Sequence, residues 1–457
     1  MKEMKEEDAR SRGYIIFYGL LLASFGAIFG FGLTTFGTFF DYFIRNFPQI
    51  DSESKMKSVQ SNLSVAFIVG GTLAVASGGP LYSHLGRYRM LVVMMVIEVL
   101  ALAGMAHRNL VTIGILRIVL GYCCGFWMLL VPTMLHEMFP KDWADWFGAG
   151  FGVALTGGIC LSYCLGFPFA ERRWRCAVVI PALFEGLKLI AFLVKFNMES
   201  PVFLATQVKD KAVLQTNYAK MYKADAASKF ATAMAEHITK DKDNTKVSWD
   251  VVFSAKYSKQ IMLGITLNLL NQLTGINYFN LYINRIFKDI SEESTTPHSI
   301  LYSLMGLAGS LVVLLMLKSF SKRTLIVWGL FGQVIALSVM ILGAAIKVNI
   351  LKLVGPFIYT YAYAHSLGGI MYLYCTDIVP SKVFPVCVFF QWVFSCLFAK
   401  WSLFFADKYG NMNMLMFFQV CAVLGTSLFI AYSVKTENKK PEEILKAFEK
   451  KGYLTYK

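Results

Sequence analysis

Charge is scarce in this 457-residue chain: 16% of it is Asp, Glu, Lys or Arg, where soluble globular proteins carry about 25%. Histidine is scarcer still, with six residues too scattered to form a metal site. There is no Gly-x-x-x-x-Gly-Lys-Ser/Thr loop, no His-Glu-x-x-His helix and no nucleophile elbow, so an enzyme reading finds no foothold and no cofactor is implied. The nine cysteines fall within or at the edges of apolar runs and include no Cys-x-x-Cys pair, which argues against a disulfide framework. The first apolar run lacks a small-residue cleavage motif and no Arg-rich, acid-poor transit segment precedes it, so it reads as a retained helix.

What is abundant is apolar. The chain is 56% hydrophobic, has 38 Phe and a mean hydropathy of +0.53, more than one compact soluble core can hide. A helix needs about 20 residues to cross about 30 Å of hydrocarbon. Apolar runs lie near 14–40, 60–83, 88–107, 111–136, 146–169 and 174–196, then near 258–288, 298–317, 325–346, 351–378, 383–406 and 411–433. The expectation is an all-α membrane protein of twelve transmembrane helices in two six-helix bundles. Its parts are a tail at 1–13, a bundle at 14–196, a linker at 197–257, a second bundle at 258–433 and a tail at 434–457. The linker holds nine Lys against seven acids, and Ala, Met and Phe recur at helical spacing over 209–239, which predicts short amphipathic helices.

Lys and Arg give the orientation. Lys2, Lys5, Arg10, Arg12, Arg87, Arg89, Lys318, Lys322, Arg323 and the tail from Lys435 share one side, which the positive-inside rule makes cytoplasmic; Arg172, Arg173 and Arg175 run against it. The net charge of +15 therefore flanks spans beside lipid headgroups and does not form a nucleic-acid-binding face.

An internal repeat is visible. Glu137-x-x-Pro140 closes the fourth span and Asp377-x-x-Pro380 the tenth, 240 residues apart, while Gly86-Arg87-Tyr88-Arg89 and Ser321-Lys322-Arg323 follow the second and eighth, about 235 apart. Arg87, Arg89, Lys322 and Arg323 are candidate gating cations for the carboxylates Glu137 and Asp377, although cations beside headgroups also snorkel without a partner. Glu98, Glu185 and Lys188 fall inside spans, where an ionisable group is a functional candidate; Glu185 and Lys188, three apart, can neutralise each other and Glu98 can face a helix neighbour.

These residues resemble the sugar porter family of the major facilitator superfamily over nearly the whole chain. The resemblance rests on Asn271-Gln272-Leu273-Thr274-Gly275-Ile276-Asn277, Arg117-x-x-x-Gly121-x-x-x-Gly125, Glu199-Ser200-Pro201 and the tail Thr436 to Ile444. It implies a central cavity between the halves, with Gln272, Asn277 and Asn271 as sugar ligands and Trp392 as a stacking wall. An amide offers a hydroxyl both donor and acceptor, and an aromatic ring packs on a sugar's apolar face. The same amides also suit a role bonding neighbouring helices. The implied partners are a small sugar and the bilayer. The implied location is the plasma membrane, with organellar membranes, mitochondria included, left open.

The departures from the family pattern are specific. Gly152 and Gly306 stand where the family has hydroxyl-reading amides, and Gly368-Gly369-Ile370-Met371-Tyr372 lacks the prolines that break the tenth span and places Tyr372 where an indole is expected. His365 could compensate as a substrate ligand. Ser83-His84, Ala144, Lys318 and Phe384 replace gating partners, so Glu137 and Asp377 are expected to lose theirs. Phe29-Gly30-Phe31-Gly32 has glycine where proton-coupled members place an acid, favouring facilitated diffusion. The reading is a hexose or polyol facilitator working by alternating access. Its rival is a transport-deficient fold kept as a subunit of a larger membrane assembly or as a sensor.

Overall fold

The computed structural model describes residues 8, 10–47, 50–169, 174–207, 210–244, 257–290, 295–317, 319–380, 383–437, 439 and 441–450. Among them the only regular secondary structure is helix. In a bilayer an α-helix satisfies every backbone donor and acceptor internally, so the long apolar runs have little alternative. Among the described residues, nine helices are long and apolar enough to cross: Arg12–Phe40, Glu53–Leu85, Leu110–Met138, Asp142–Gly166, Arg175–Val194, Thr295–Met316, Lys322–Ala345, Phe384–Tyr409 and Asn411–Tyr432. Three more complete twelve. The third span, Arg87–Gly104, carries Arg87, Arg89 and Glu98; the seventh is broken into Ser258–Leu273 and Ile276–Ile290; the tenth into Asn349–Ala364 and Met371–Ile378.

Both breaks have local causes. Gly275 takes φ +97°, and a Cβ there would stand 2.6 Å from the Phe418 ring. The tenth span breaks over 365–370 without the expected prolines, so their loss does not restore a continuous helix. The chain turns there on Gly368 and Gly369, with Gly368 N bonded back to Tyr363 O at 2.9 Å. A lesser interruption at Ser24 divides the first span into Arg12–Ala23 and Phe25–Ile44.

Small residues set the packing within the first six spans. A Cβ on Gly121 would lie 1.9 Å from the Phe67 carbonyl oxygen, so spans two and four touch backbone to backbone. Fully buried Arg117, one turn away, donates to the Leu63 and Gly32 carbonyls and lies over the Phe36 and Phe67 rings at 4.9 and 4.7 Å. Between the two sets of six, span two packs on span eleven and span five on span eight. Those pairings exchange when six is added to each number, as a twofold repeat requires.

The linker carries helices Pro201–Gln207, Lys211–Ala219 and Ala224–Asn244. Tyr222 donates to the Met138 carbonyl at 2.9 Å, and burial raises its hydroxyl pKa. Arg172, Arg173, Lys318, Lys2 and Lys5, invoked above for orientation, lie outside the described residues. The ion pair foreseen between Lys188 and Glu185 is present at 2.7 Å, and Glu98 accepts from Trp127 Nε1 at 2.8 Å.

Candidate functional site

The breaks in spans seven and ten meet at mid-depth, and polar side chains gather there. Asn277 Nδ2 donates to Gln272 Oε1 at 2.6 Å and to Ser395 Oγ; Gln272 Nε2 donates to Asn271 Oδ1 at 3.0 Å; Asn271 Nδ2 reaches the Leu367 carbonyl at 3.3 Å. Tyr363 also donates to Asn271 Oδ1 at 3.2 Å. A cavity of about 120 Å³ opens beside this chain of amides, between the two sets of six spans. That volume holds several waters, and buried polar groups of this density at mid-membrane suit a wet cavity.

Of the substrate ligands expected from the sequence, Asn271, Gln272, Asn277, Tyr372 and Trp392 all line this cavity. Trp392 stacks on Phe29 of the first span at 5.8 Å, and its indole edge fits where Gly71 of the second has no side chain. His365 is a correction: it lies buried in the tenth-span break, stacked on Tyr361 at 6.1 Å, and is not among the cavity-lining residues. Gly152 lines the cavity, while a Cβ on Gly306 would sit 3.0 Å from Thr360 Oγ1.

Sequence reasoning missed Gln391, Tyr363, Asn280 and Ser395, which also line the cavity. Gln391 and Tyr372 bond each other at 2.8–3.0 Å, and Asn280 Oδ1 accepts from Tyr302 at 2.8 Å. The signal was present: Gln391 and Ser395 flank Trp392 in an apolar span, one residue before and three after.

The gating carboxylates do not lose their partners, contrary to expectation. Arg87 grips Glu137 through Nη2 at 2.8 Å and Nε at 3.1 Å, and Lys322 Nζ lies 2.8 Å from Asp377 Oδ2. The same cations begin the third and ninth spans, where helix N-termini favour a negative charge. Glu199 Oε1 accepts from Arg87 N at 2.8 Å and Tyr88 N at 3.0 Å, and Glu437 Oε1 from Lys322 N at 2.6 Å. A hydroxyl completes each cluster, Ser200 on Glu137 and Thr436 on Asp377, the latter at 2.8 Å. The repeat is thus one four-membered cluster built twice, each joining one set of six spans to the segment that follows it. Arg89 is exposed and outside the Arg87 pair. Arg323 does not hold an acid: Nε donates to Ser433 Oγ at 2.8 Å and Nη2 to the Ile430 carbonyl at 3.2 Å, so it caps the last span.

The two faces of the molecule differ. On the face carrying the linker, a vestibule of about 1280 Å³ separates the halves, with Trp143 and Asp145 on one wall and Phe320 and Lys322 on the other. On the opposite face the halves are in contact. Asn284 Nδ2 donates to the Gly37 carbonyl at 2.8 Å, Tyr163 to the Asn280 carbonyl at 3.3 Å, and Lys57 stands 3.6 Å from Asp407.

Similar folds are known. The proton:xylose symporter XylE bound to 6-bromo-6-deoxy-D-glucose superposes with a TM-score of 0.80 at 18% identity, covering 95% of this chain and 99% of that one. An inward open conformation of XylE from E. coli gives 0.75 at 19% identity, covering 95% and 99%. At these identities the likeness establishes the fold. Among curated relatives, Hexose transporter 1 of Plasmodium falciparum (isolate 3D7) is 23% identical over 395 residues, 79% of this chain and 77% of the relative. Facilitated glucose transporter member 2 of solute carrier family 2 from Sus scrofa is 24% identical over 416 residues, covering 86% and 78%. The profile of the family described as "Sugar (and other) transporter" matches residues 19–448. With that match, twelve spans in two repeated sets and a polar cavity where they meet, the chain is an integral multi-pass membrane protein that belongs to the sugar porter family of the major facilitator superfamily.

Proposed function

We propose that the protein carries a hexose or related polyol passively across its membrane by rocking its two halves, residues 14–196 and 258–433, about the central cavity. The observation that carries this reading is the amide chain Asn271–Gln272–Asn277, lined up on the cavity wall with Tyr372, Gln391 and Trp392 beside it. Amides pre-aligned by one another present fixed donors and acceptors to sugar hydroxyls, and the indole covers an apolar ring face. The names of the relatives, hexose and glucose transporters, support the same substrate class.

Passive transport is favoured by the first span. The hydrogen bond Arg117 makes there goes to the Gly32 backbone carbonyl, its other first-span contact is the Phe36 ring, and Gly32 has no side chain to carry a proton. Closure of the vestibule would bring Asp142 and Asp145 of the fifth span toward Lys322, Lys435 and Lys439 on the facing wall. Lys322 belongs both to that gate and to the Asp377 cluster, whereas the Arg87–Glu137 pair stands apart from the vestibule wall. Uptake of radiolabelled D-glucose and other hexoses into proteoliposomes tests the reading. Saturable uptake lost in the Gln272→Ala/Asn277→Ala double variant is the expected result; absence of saturable uptake of any hexose, or uptake indifferent to the double variant, refutes it.

A further inference from the structure

The walls of the central cavity are chemically unlike. From the first six spans come Phe29, Leu33, Ile68, Met128, Leu155 and Ile159, with Ala149 and Gly152 between them. The one hydroxyl on that side, Thr156, is already engaged: it bonds the Gly152 and Val153 carbonyls and lies 2.7 Å from Ser310 Oγ. Every carboxamide of the cavity stands on the other wall, contributed by spans seven and eleven. So does Trp392 Nε1, a buried indole N–H without a hydrogen-bond partner. The cavity is therefore amphipathic across its width, reading hydroxyls from one side and offering, apart from the engaged Thr156 hydroxyl, only carbon side chains from the other.

Resting on the transport reading above, we infer that the preferred substrate is a polyol with one apolar edge, a deoxyhexose or a hexoside bearing a small apolar group, oriented with that edge against the first-half wall. A fully hydroxylated hexose must press at least one hydroxyl onto Leu33, Leu155 and Ile159, where it loses its water without gaining a partner. Removing that hydroxyl relieves the loss and strengthens binding about tenfold, whereas removing one that faces the amides weakens it by a similar factor. A bromine, methyl or phenyl group on the same edge gains further by filling apolar space.

Thermal-shift titration of the purified full chain with D-glucose, D-galactose, their monodeoxy derivatives and their methyl and phenyl glycosides tests this. At least one deoxygenated or apolar-substituted sugar is expected to bind about tenfold more tightly than its parent. In Gly152→Gln, whose new side chain starts 4.0 Å from the nearest atom outside its own helix, Gly369 Cα, that preference is expected to shrink or reverse because the wall acquires an amide. If every parent binds and every deoxygenation weakens binding, both walls read hydroxyls and the inference falls while the transport reading stands. If neither parents nor derivatives bind, both fall. The wild-type series decides the matter even where the variant does not fold.

Discussion

Gly37 is the point at which the closed face can be forced open. It lies where the first span meets the second half of the seventh, and a Cβ there would stand 3.0 Å from the Leu281 carbonyl oxygen. The Gly37 carbonyl also accepts the Asn284 bond at 2.8 Å. Gly37→Leu adds four carbons where a backbone already sits. Overpacking of this kind costs about 1–3 kcal/mol, and losing the Asn284 bond costs about 1 kcal/mol more. Both penalties apply only while this face is shut. The equilibrium between the vestibule-open state and its alternative therefore shifts by about 2–4 kcal/mol, roughly 30- to 800-fold. The assay is alkylation of a cysteine placed at Leu314 on the vestibule wall, in protein with and without Gly37→Leu. The reaction rate should fall in proportion to the open population, and maximal sugar transport should fall with it as the cycle stalls. A Leu314→Cys rate unchanged by Gly37→Leu in well-folded protein would show that the contact does not hold this face shut.

Other expectations follow from the same geometry. Gly121→Ala must push spans two and four apart against the Phe67 carbonyl, so recovery of folded protein after detergent extraction should drop sharply, whereas Gly79→Ala, with open space around it, should leave recovery unchanged. Glu98→Leu strands the Trp127 N–H in the interior and should destabilise by about 1–3 kcal/mol, seen as a lower unfolding temperature, while Glu98→Gln keeps an acceptor and should recover most of that loss. Glu199→Ala deprives the N-terminus of the third span of its carboxylate and loosens the start of the linker, which should make residues 201–219 cut faster by protease; Glu199→Gln should be intermediate.

The order of the spans was legible because hydrocarbon tolerates so few solutions: a run long enough to cross reads as a helix whatever its tertiary neighbours. The broken spans were harder. Proline is a visible cause of a break, so its absence from 368–372 suggested continuity, but glycine at 368 and 369 lets the chain double back against the Tyr363 ring and the Ala364 carbonyl, where a Cβ would stand 2.8 Å from each. The amide triplet stood out since three carboxamides within one apolar span carry a desolvation cost that demands an explanation. Gln391 and Ser395 carried the same signal more faintly and were passed over. The carboxylate partners failed for a different reason. Arg87 and Glu137 were both recognised, yet their pairing depends on how spans three and four pack, which spacing along the chain does not encode. Glu437 was similar: it sat in a tail read for its pattern, while its role at the ninth-span N-terminus exists only in three dimensions.

The broken seventh span carries a consequence for motion. Its second half, Ile276–Ile290, is a rod of 15 residues, about 22 Å long, pivoting at Gly275 beside the amides. Swinging such a rod by about 10° moves its far tip by about 4 Å, enough to part Asn284 from the Gly37 carbonyl it bonds at 2.8 Å. The fulcrum lies at Gln272 and Asn277, so a bound molecule pulls on the short arm of a lever whose long arm reaches the membrane surface. Little displacement is asked of the ligand itself; the helix multiplies it.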